Sequence, residues 1–162
     1  MNEKILIIED EPYSISRIPK NLEQINMYVD IAEDLDVAIA KLQKEKYDLV
    51  ILDIMFAEGE HEQLDNLIQE NLENSEKYKK YYRRGIALFK LIKRGVLGEK
   101  NRDVPVVVIS ATPDQNDIQE IKSILEDSDA YFEKPVESKM IIEKIKEVLR
   151  DESKDREKAS LL

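Results

Sequence analysis

Acidic, hydroxyl and lysine side chains stand at the ends of four short apolar runs of this sequence. Glu9 and Asp10 end the first run, Asp53 ends the second, Ser110 ends the third, and Lys134 ends the fourth. Three carboxylates in one place repel each other and favour a divalent cation, and oxygen ligands without histidine or cysteine suit Mg²⁺. A hydroxyl and a lysine beside such an ion suit a phosphoryl group, whose charge is spread over several oxygens. These residue types therefore indicate a Mg²⁺-dependent phosphoryl site.

The apolar runs that carry these residues are typical of strands buried on both faces of a parallel sheet. The strand patterns, including one short edge strand, cover residues 4–8, 27–31, 47–53, 104–109 and 129–132. The amphipathic helical patterns between them cover residues 15–25, 34–42, 86–96, 114–125 and 137–150. Strands that alternate with helices predict an α/β fold whose sheet is covered on both faces. Ligands of such a sheet bind outside the carboxyl ends of its strands, where the candidate residues lie.

Three residues are expected to shape individual helices. Pro19 lies within the first helical pattern and, because it lacks a backbone N–H, is predicted to kink that helix. Asp34 is predicted to cap the N-terminus of the second helix. Gly98 is predicted to end the helix that begins near Ile86.

Residues 57–84 interrupt the alternation, because they carry no buried strand pattern. Their first half is acidic and their second half is basic. A structureless loop of this length is unusual inside a compact domain, so we predict an inserted helix or helical hairpin that breaks near Asn74 and Ser75. His61, the single histidine, is expected to be a solvated residue of this insert. The charge split is expected to form a solvated surface, with partner binding or self-pairing as the alternative.

Composition narrows the class of protein. The chain has 162 residues, of which 42% are hydrophobic and 37% charged, and this fits one domain with a buried core. No apolar run approaches the ~20 residues that span a bilayer. The absence of cysteine excludes a disulfide framework and a thiolate nucleophile. Because the net charge of −10 disfavours contact with nucleic-acid phosphates, we expect a cytoplasmic protein without direct nucleic-acid binding or membrane insertion.

Four segments, ILIIEDEP, YDLVILDIM, PVVVISA and AYFEKPV, resemble the CheY-like receiver domain of bacterial two-component response regulators. The resemblance covers residues 4–56 and 85–149. It implies a flavodoxin-like, doubly wound sheet of five parallel strands in the order 2-1-3-4-5. It also implies a receiver domain over residues 1–150, with a helical insert at residues 57–84, followed by a charged C-terminal tail at residues 151–162.

The resemblance implies a phosphoacceptor and a metal site. Asp53 matches the residue that accepts a phosphoryl group from the phosphohistidine of a kinase. Glu9 and Asp10 match the acidic pair that holds Mg²⁺ together with Asp53 and the backbone carbonyl of Met55. The side chain of Met55 and Thr112 match positions that tune the lifetime of the phosphorylated state.

The remaining site residues have roles in contact and switching by the same resemblance. Ser110 matches the hydroxyl residue that contacts the phosphoryl group and moves inward on activation. Lys134 matches the lysine that pairs with that group. Tyr131 matches the aromatic switch position, and Pro135 matches the proline that follows a cis peptide bond.

The resemblance further implies a partner and a mode of action. A histidine kinase or a histidine phosphotransfer protein would supply the phosphoryl group. With no room for an output domain after residue 150, a single-domain receiver would signal through protein contacts, with a homodimer as one option. It would be no enzyme beyond catalysing its own phosphorylation and dephosphorylation.

Two other functions remain open at this point. One is a receiver-like binding module that works without phosphorylation, although the acidic pair, Asp53, Ser110 and Lys134 are all intact. The other is a Mg²⁺-dependent phosphatase with Asp53 as its nucleophile. Such enzymes generally need a second carboxylate two residues further on, where this chain has Met55.

Overall fold

The computed structural model describes residues 2–11, 15–56, 60–79, 83–111 and 114–161. Its strands form one parallel sheet with the order β2-β1-β3-β4-β5. The strands are β1 (Lys4–Ile8), β2 (Tyr28–Ala32), β3 (Leu49–Asp53), β4 (Val106–Ser110) and β5 (Ala130–Glu133). The predicted α/β class, the flavodoxin-like fold and the strand order 2-1-3-4-5 are therefore confirmed.

Seven α-helices lie in the described part of the chain. They are α1 (Arg17–Gln24), α2 (Leu35–Lys44), α3 (Glu62–Asn71), α4 (Ser75–Lys79), α5 (Arg84–Lys93), α6 (Gln115–Ile124) and α7 (Ser138–Ser160). Helices α1 and α7 pack together on one face of the sheet, whereas α2 to α6 contribute to the core on the other face.

Successive side chains of each central strand pack alternately into two separate hydrophobic cores, one on each face of the sheet. In β1, Leu6 and Ile8 join the core beneath α2 and α5, while Ile5 and Ile7 join the core beneath α1 and α7. All four of these side chains are fully buried. The continuous apolar runs of the sequence arise because successive strand residues point to opposite faces and both faces are covered.

Of the three residues expected to shape helices, one has its predicted role and two do not. Asp34 caps α2, since its Oδ1 accepts the N–H of Asp36 at 2.7 Å and of Val37 at 3.1 Å. The kink expected at Pro19 is wrong, because α1 begins at Arg17 and Pro19 falls in its first turn, where no intrahelical N–H bond is lost. Gly98 is not the stop of α5, which ends at Lys93. The left-handed residue there is Gly95, with φ of 74°.

The described part of residues 57–84 carries the helices α3 and α4, and its standing as an insert stays a prediction. Helices α3 and α4 are separated at residues 72–74, and Asn74 adopts a left-handed φ of 55° at the break. Leu64, Ile68 and Tyr78 of these helices are buried in the core above α2 and α5. Residues 57–59 and 80–82 of the predicted insert lie outside the described residues.

His61 is not the solvated residue that the sequence suggested. Its side chain is 6% exposed, and neither ring nitrogen has a hydrogen-bond partner among the described residues. The cause is local packing at the start of α3. Asp36 of α2 accepts the backbone N–H of Leu64 at 3.0 Å and of Gln63 at 3.2 Å, which draws this helix end against α2.

The last helix extends beyond its predicted end. Helix α7 continues to Ser160, so residue 150 marks no structural boundary and the expected tail at residues 151–162 is helical through Ser160. The apolar stripe of α7 ends at Leu149, because residues 150–158 are all charged or polar and almost all of them are exposed. In the part of the chain described here, no helix is long and apolar enough to cross a membrane.

Candidate phosphoryl site

The carboxyl ends of four strands bring the predicted residues to one rim of the sheet. Ile8 pairs with Leu52, so Glu9 and Asp53 follow at the same level, and Ser110 pairs with Glu133, the residue before Lys134. Glu9, Asp53 and Ser110 are only 2%, 3% and 1% exposed. Polar residues are buried here because the parallel topology ends the strands together.

Lys134 contacts both buried carboxyl groups of this site. Its Nζ lies 2.7 Å from Asp53 Oδ2 and 3.6 Å from Glu9 Oε2. The backbone N–H of Lys134 donates to the Ser110 carbonyl at 2.8 Å, which fixes where the lysine leaves β5. The Lys134–Pro135 peptide bond is cis, as the resemblance implied. Burial would lower the pKa of Lys134, but Asp53 and Glu9 together raise it, so the lysine is protonated.

Glu9 and Asp53 place two buried carboxyl groups beside a single lysine. Burial first, and then contact with Asp53, raises the pKa of Glu9 to about 9. Two backbone donors hold these carboxyl groups in place, the N–H of Glu11 at 3.0 Å from Glu9 Oε1 and the N–H of Met55 at 2.8 Å from Asp53 Oδ1. With Lys134 as the cation of the site, Glu9 therefore retains a proton at neutral pH, and a further cation would favour the ionised form of both carboxyl groups.

The donors fit a hard divalent ion by chemistry. Asp10 is half-buried and directly follows Glu9, and with Asp53 these residues offer only oxygen ligands. Among the described residues, no group of three acidic, histidine or cysteine side chains is arranged to hold a metal ion. The structure thus brings Glu9 and Asp53 together around Lys134, and Asp10 is the further carboxylate at the same strand end.

Gly85 fixes the loop that follows Asp53, a role that sequence reasoning did not find. A Cβ atom at Gly85 would lie 2.3 Å from the Ile54 carbonyl oxygen and 2.8 Å from the Ile54 Cα atom. No side chain fits between the start of α5 and this loop. The N–H of Ile54 also donates to the Ile109 carbonyl at 3.0 Å, which extends the β3–β4 pairing past Asp53.

Tyr131 and Met55, two of the residues predicted to switch or tune the site, are both half-buried. Tyr131 is half-buried in β5, where burial and Glu133 raise the pKa of its phenol while the Ser110 hydroxyl acts in the opposite direction. Met55 is half-buried, and its backbone N–H contacts Asp53. Thr112 lies outside the described residues.

A cavity of about 640 Å³ opens beside Lys134, between the start of α1 and the connection from β5 to α7. Its apolar lining includes Ile15, Ile18, Val136 and Ile141. The sequence indicated Ile15 and Ile18 as apolar positions of one helical pattern, but their position beside the connection after Lys134 depends on the tertiary fold.

Known proteins resemble this chain in sequence and in fold. Residues 5–72 match the sequence model of the response regulator receiver domain. The phosphate regulon transcriptional regulatory protein PhoB of Klebsiella pneumoniae is 28% identical over 150 residues, which is 93% of this chain. This chain spans 53% of the length of that relative, or about half.

Two solved structures show the likeness of fold. A CheY-like response regulator receiver domain protein from Methanospirillum hungatei JF-1 has a TM-score of 0.67 at 21% identity, with 96% of this chain and 99% of that chain covered. The receiver domain of the sensor histidine kinase PA1611 from Pseudomonas aeruginosa has a TM-score of 0.63 at 17% identity, with coverage of 92% and 98%. That second structure contains a magnesium ion coordinated in its active-site cleft.

Proposed function

We propose that this chain is a response regulator receiver, a phosphorylation-switched signalling domain whose Asp53 takes up a phosphoryl group, because residues 5–72 match the receiver model and the fold resembles that of solved receiver domains. The observation that carries the proposal is the position of Asp53, 3% exposed, level with Glu9 and 2.7 Å from the Lys134 ammonium. A nucleophilic carboxylate needs such neighbours, because the phosphoryl group that it accepts adds negative charge.

In the proposed transfer of the phosphoryl group, the carboxylate of Asp53 is the nucleophile. One oxygen attacks the phosphorus atom of a phosphohistidine, so that an O–P bond forms as the N–P bond breaks and the imidazole nitrogen leaves with the electron pair. Lys134 stabilises the charge of the phosphoryl oxygens, and the Met55 N–H orients the carboxylate through Oδ1. Mg²⁺, when bound by Glu9, Asp10 and Asp53, would supply further positive charge to those oxygens.

The cavity beside Lys134 supports a protein as the phosphodonor. Its lining combines apolar side chains of α1 and α7 with Lys134 itself, so a partner that fills it would lie next to Asp53. We assign this face to a histidine kinase or a histidine phosphotransfer protein. Signalling onward would then depend on contacts that change once Asp53 is modified.

Intact-mass measurement tests the proposal directly. The protein is mixed with Mg²⁺ and acetyl phosphate, and we expect one added phosphoryl group on the wild type and none on Asp53→Asn. Asn keeps the shape of the side chain but has no anionic oxygen to attack phosphorus. Asp103→Asn, at an exposed position away from the site, serves as the control and should gain the group as the wild type does.

Other outcomes would point to other functions. Equal labelling of Asp53→Asn would move the acceptor elsewhere. A wild-type protein that gains no phosphoryl group would favour a binding module that works without phosphorylation. Rapid release of phosphate over many turnovers would favour a phosphatase.

A further inference from the structure

The insert contacts α6 through a partly buried acidic side chain. Glu120 of α6 receives Lys77 Nζ at 2.9 Å on Oε2 and Lys90 Nζ at 2.7 Å on Oε1, and the Tyr78 hydroxyl donates to Oε1 at 2.8 Å. We call these four residues the Glu120 cluster. Two of its members, Lys77 and Tyr78, belong to α4 of the insert, so the cluster joins the insert and α5 to α6.

A second set of contacts reaches the first turn of α6. Arg83, just before α5, lies 3.3 Å from Asp117 Oδ1 and 4.0 Å from Asp114 Oδ2. Asp114 is also the N-cap of α6, since its Oδ1 accepts the N–H of Asn116 at 2.8 Å. Residues of the insert therefore contact both the start and the middle of α6.

The central carboxylate of the Glu120 cluster is ionised in the folded protein. Burial would raise the pKa of Glu120, but Lys90, Lys77 and Tyr78 together lower it to about 2, so this carboxylate is ionised in the folded protein. Its side chain is 12% exposed, and a partly buried pair is screened less by solvent than an exposed one. The Glu120 cluster therefore joins α4 and α5 to α6 more firmly than a single exposed ion pair would.

The insert and α6, which the Glu120 cluster joins, are each connected to the phosphoryl site. The insert lies between Asp53 and Gly85 along the chain, and Gly85 packs directly on Ile54, the residue after Asp53. On the other side, α6 follows Ser110, which is 1% exposed and ends β4 at the site. A displacement of Ser110 would be passed to α6, where the Glu120 cluster opposes it.

We propose that the insert restrains α6, and through it Ser110, in the position of the unphosphorylated state, so that it sets how readily Asp53 becomes phosphorylated. This inference rests on the proposed function. A phosphoryl group on Asp53 brings about two negative charges and new acceptor oxygens, and a hydroxyl such as Ser110 is drawn toward them. Movement of α6 that follows would stretch or break the contacts of Glu120 and Arg83.

The restraint can be weakened at one residue of α4 and compared with its neighbour. Lys77 reaches across to Glu120, whereas Lys79 of the same helix pairs with Glu76 of its own helix at 3.3 Å. We measure the acetyl phosphate concentration that gives half-maximal phosphorylation of Asp53, by intact mass in Mg²⁺. Lys77→Met should lower this concentration about two- to fivefold, the size expected for one ion pair, while Lys79→Met should leave it unchanged.

A double-variant comparison separates the restraint from a general loss of structure. In a Glu120→Gln background, the carboxylate that Lys77 contacts is gone, so Lys77→Met should change the donor concentration no further. Thermal melts of the same proteins are recorded alongside. A lower melting temperature of Lys77→Met without a lower donor concentration would assign the cluster a structural role only and overturn the inference.

The remaining outcomes distinguish the inference from the function on which it rests. If the wild type is phosphorylated on Asp53, and Lys77→Met needs the same donor concentration as Lys79→Met or a higher one, the restraint is wrong and the receiver function stands. If the wild type takes up no phosphoryl group, the proposed function fails and the inference fails with it.

Discussion

The Lys134 ammonium lies 2.7 Å from the Asp53 carboxylate, although 81 positions of the sequence separate the two residues. The contact joins the ends of β3 and β5, which are separated in the sheet by β4. An incoming phosphoryl group would therefore meet a cation that is already in position. Such preorganised charge avoids much of the reorganisation that solvent would require.

Removal of one carboxylate should reveal the metal site. Asp10→Asn relieves part of the repulsion among Glu9, Asp10 and Asp53, so we expect a higher melting temperature in the absence of metal. Mg²⁺ at tenfold excess over its Kd should stabilise the wild type by about 1.4 kcal/mol and the variant by clearly less. Thermal melts in EDTA and in Mg²⁺ measure both effects, with Asp103→Asn as the control. Equal stabilisation of wild type and Asp10→Asn by Mg²⁺ would remove Asp10 from the site.

The sequence predicted the sheet and the residues at its rim because both depend on simple rules. Buried parallel strands require continuous apolar runs, and the polar residues that end such runs meet at one edge. Asp53, Glu9, Ser110 and Lys134 were found in this way. The contact of Gly85 with Ile54 was not predicted, because the sequence does not show which residue packs against a glycine near the start of a helix.

Tertiary contacts explain where the sequence misled. The residues around His61 are mostly polar, so the sequence predicted that it is solvated. The hydrogen bonds from the backbone N–H groups of Gln63 and Leu64 to Asp36 instead hold this helix end against α2, where His61 is buried. Pro19 looked like an interior break only because the start of α1 was placed too early. Each of these outcomes depends on a partner distant in sequence or on the residue where a helix begins, and residue periodicity records neither.

Loss of the buried ion pair at the opposite end of the sheet should destabilise the protein strongly. Lys93 and Asp129 are 2.8 Å apart with side chains only 6% and 0% exposed, and Asp129 Oδ1 also accepts the Val106 N–H at 2.7 Å. Asp129→Asn leaves the lysine charge buried without its counter-ion, so we expect a loss of about 3 kcal/mol in the free energy of unfolding. Urea unfolding measures it. A loss below that of the exposed Asp103→Asn control would contradict the assignment.

The Glu120 cluster should make the protein sensitive to acid. The pKa of Glu120 is lowered from 4.5 to about 2 in the folded protein, so its contribution to stability is present above 4.5 and is lost as the pH falls toward 2. With solvent screening, we expect Glu120→Gln to cost about 1 kcal/mol near neutral pH. That cost should shrink steadily at lower pH in urea titrations. Glu76→Gln, whose side chain is 83% exposed, should show no such trend, and a constant cost for Glu120→Gln at every pH would refute the prediction.

Met55 should control how long the phosphorylated state lasts. An acyl phosphate is lost when water attacks phosphorus in line with the Asp53 oxygen, and a polar side chain that orients this water speeds its attack. Met55 is two residues beyond Asp53 and half-buried, and its thioether is only a weak acceptor. We therefore expect a long-lived phosphorylated wild type.

Met55→Asn and Met55→Glu should each shorten that lifetime about tenfold, equivalent to ~1.4 kcal/mol of barrier, without blocking phosphorylation. The measurement is the decay of the phosphorylated mass after the donor is removed. Met140→Asn, on the exposed side of α7, introduces the same side chain away from the site and should decay as the wild type does. Unchanged decay in both Met55 variants would mean that this side chain does not govern the access of water to the Asp53 phosphoryl group.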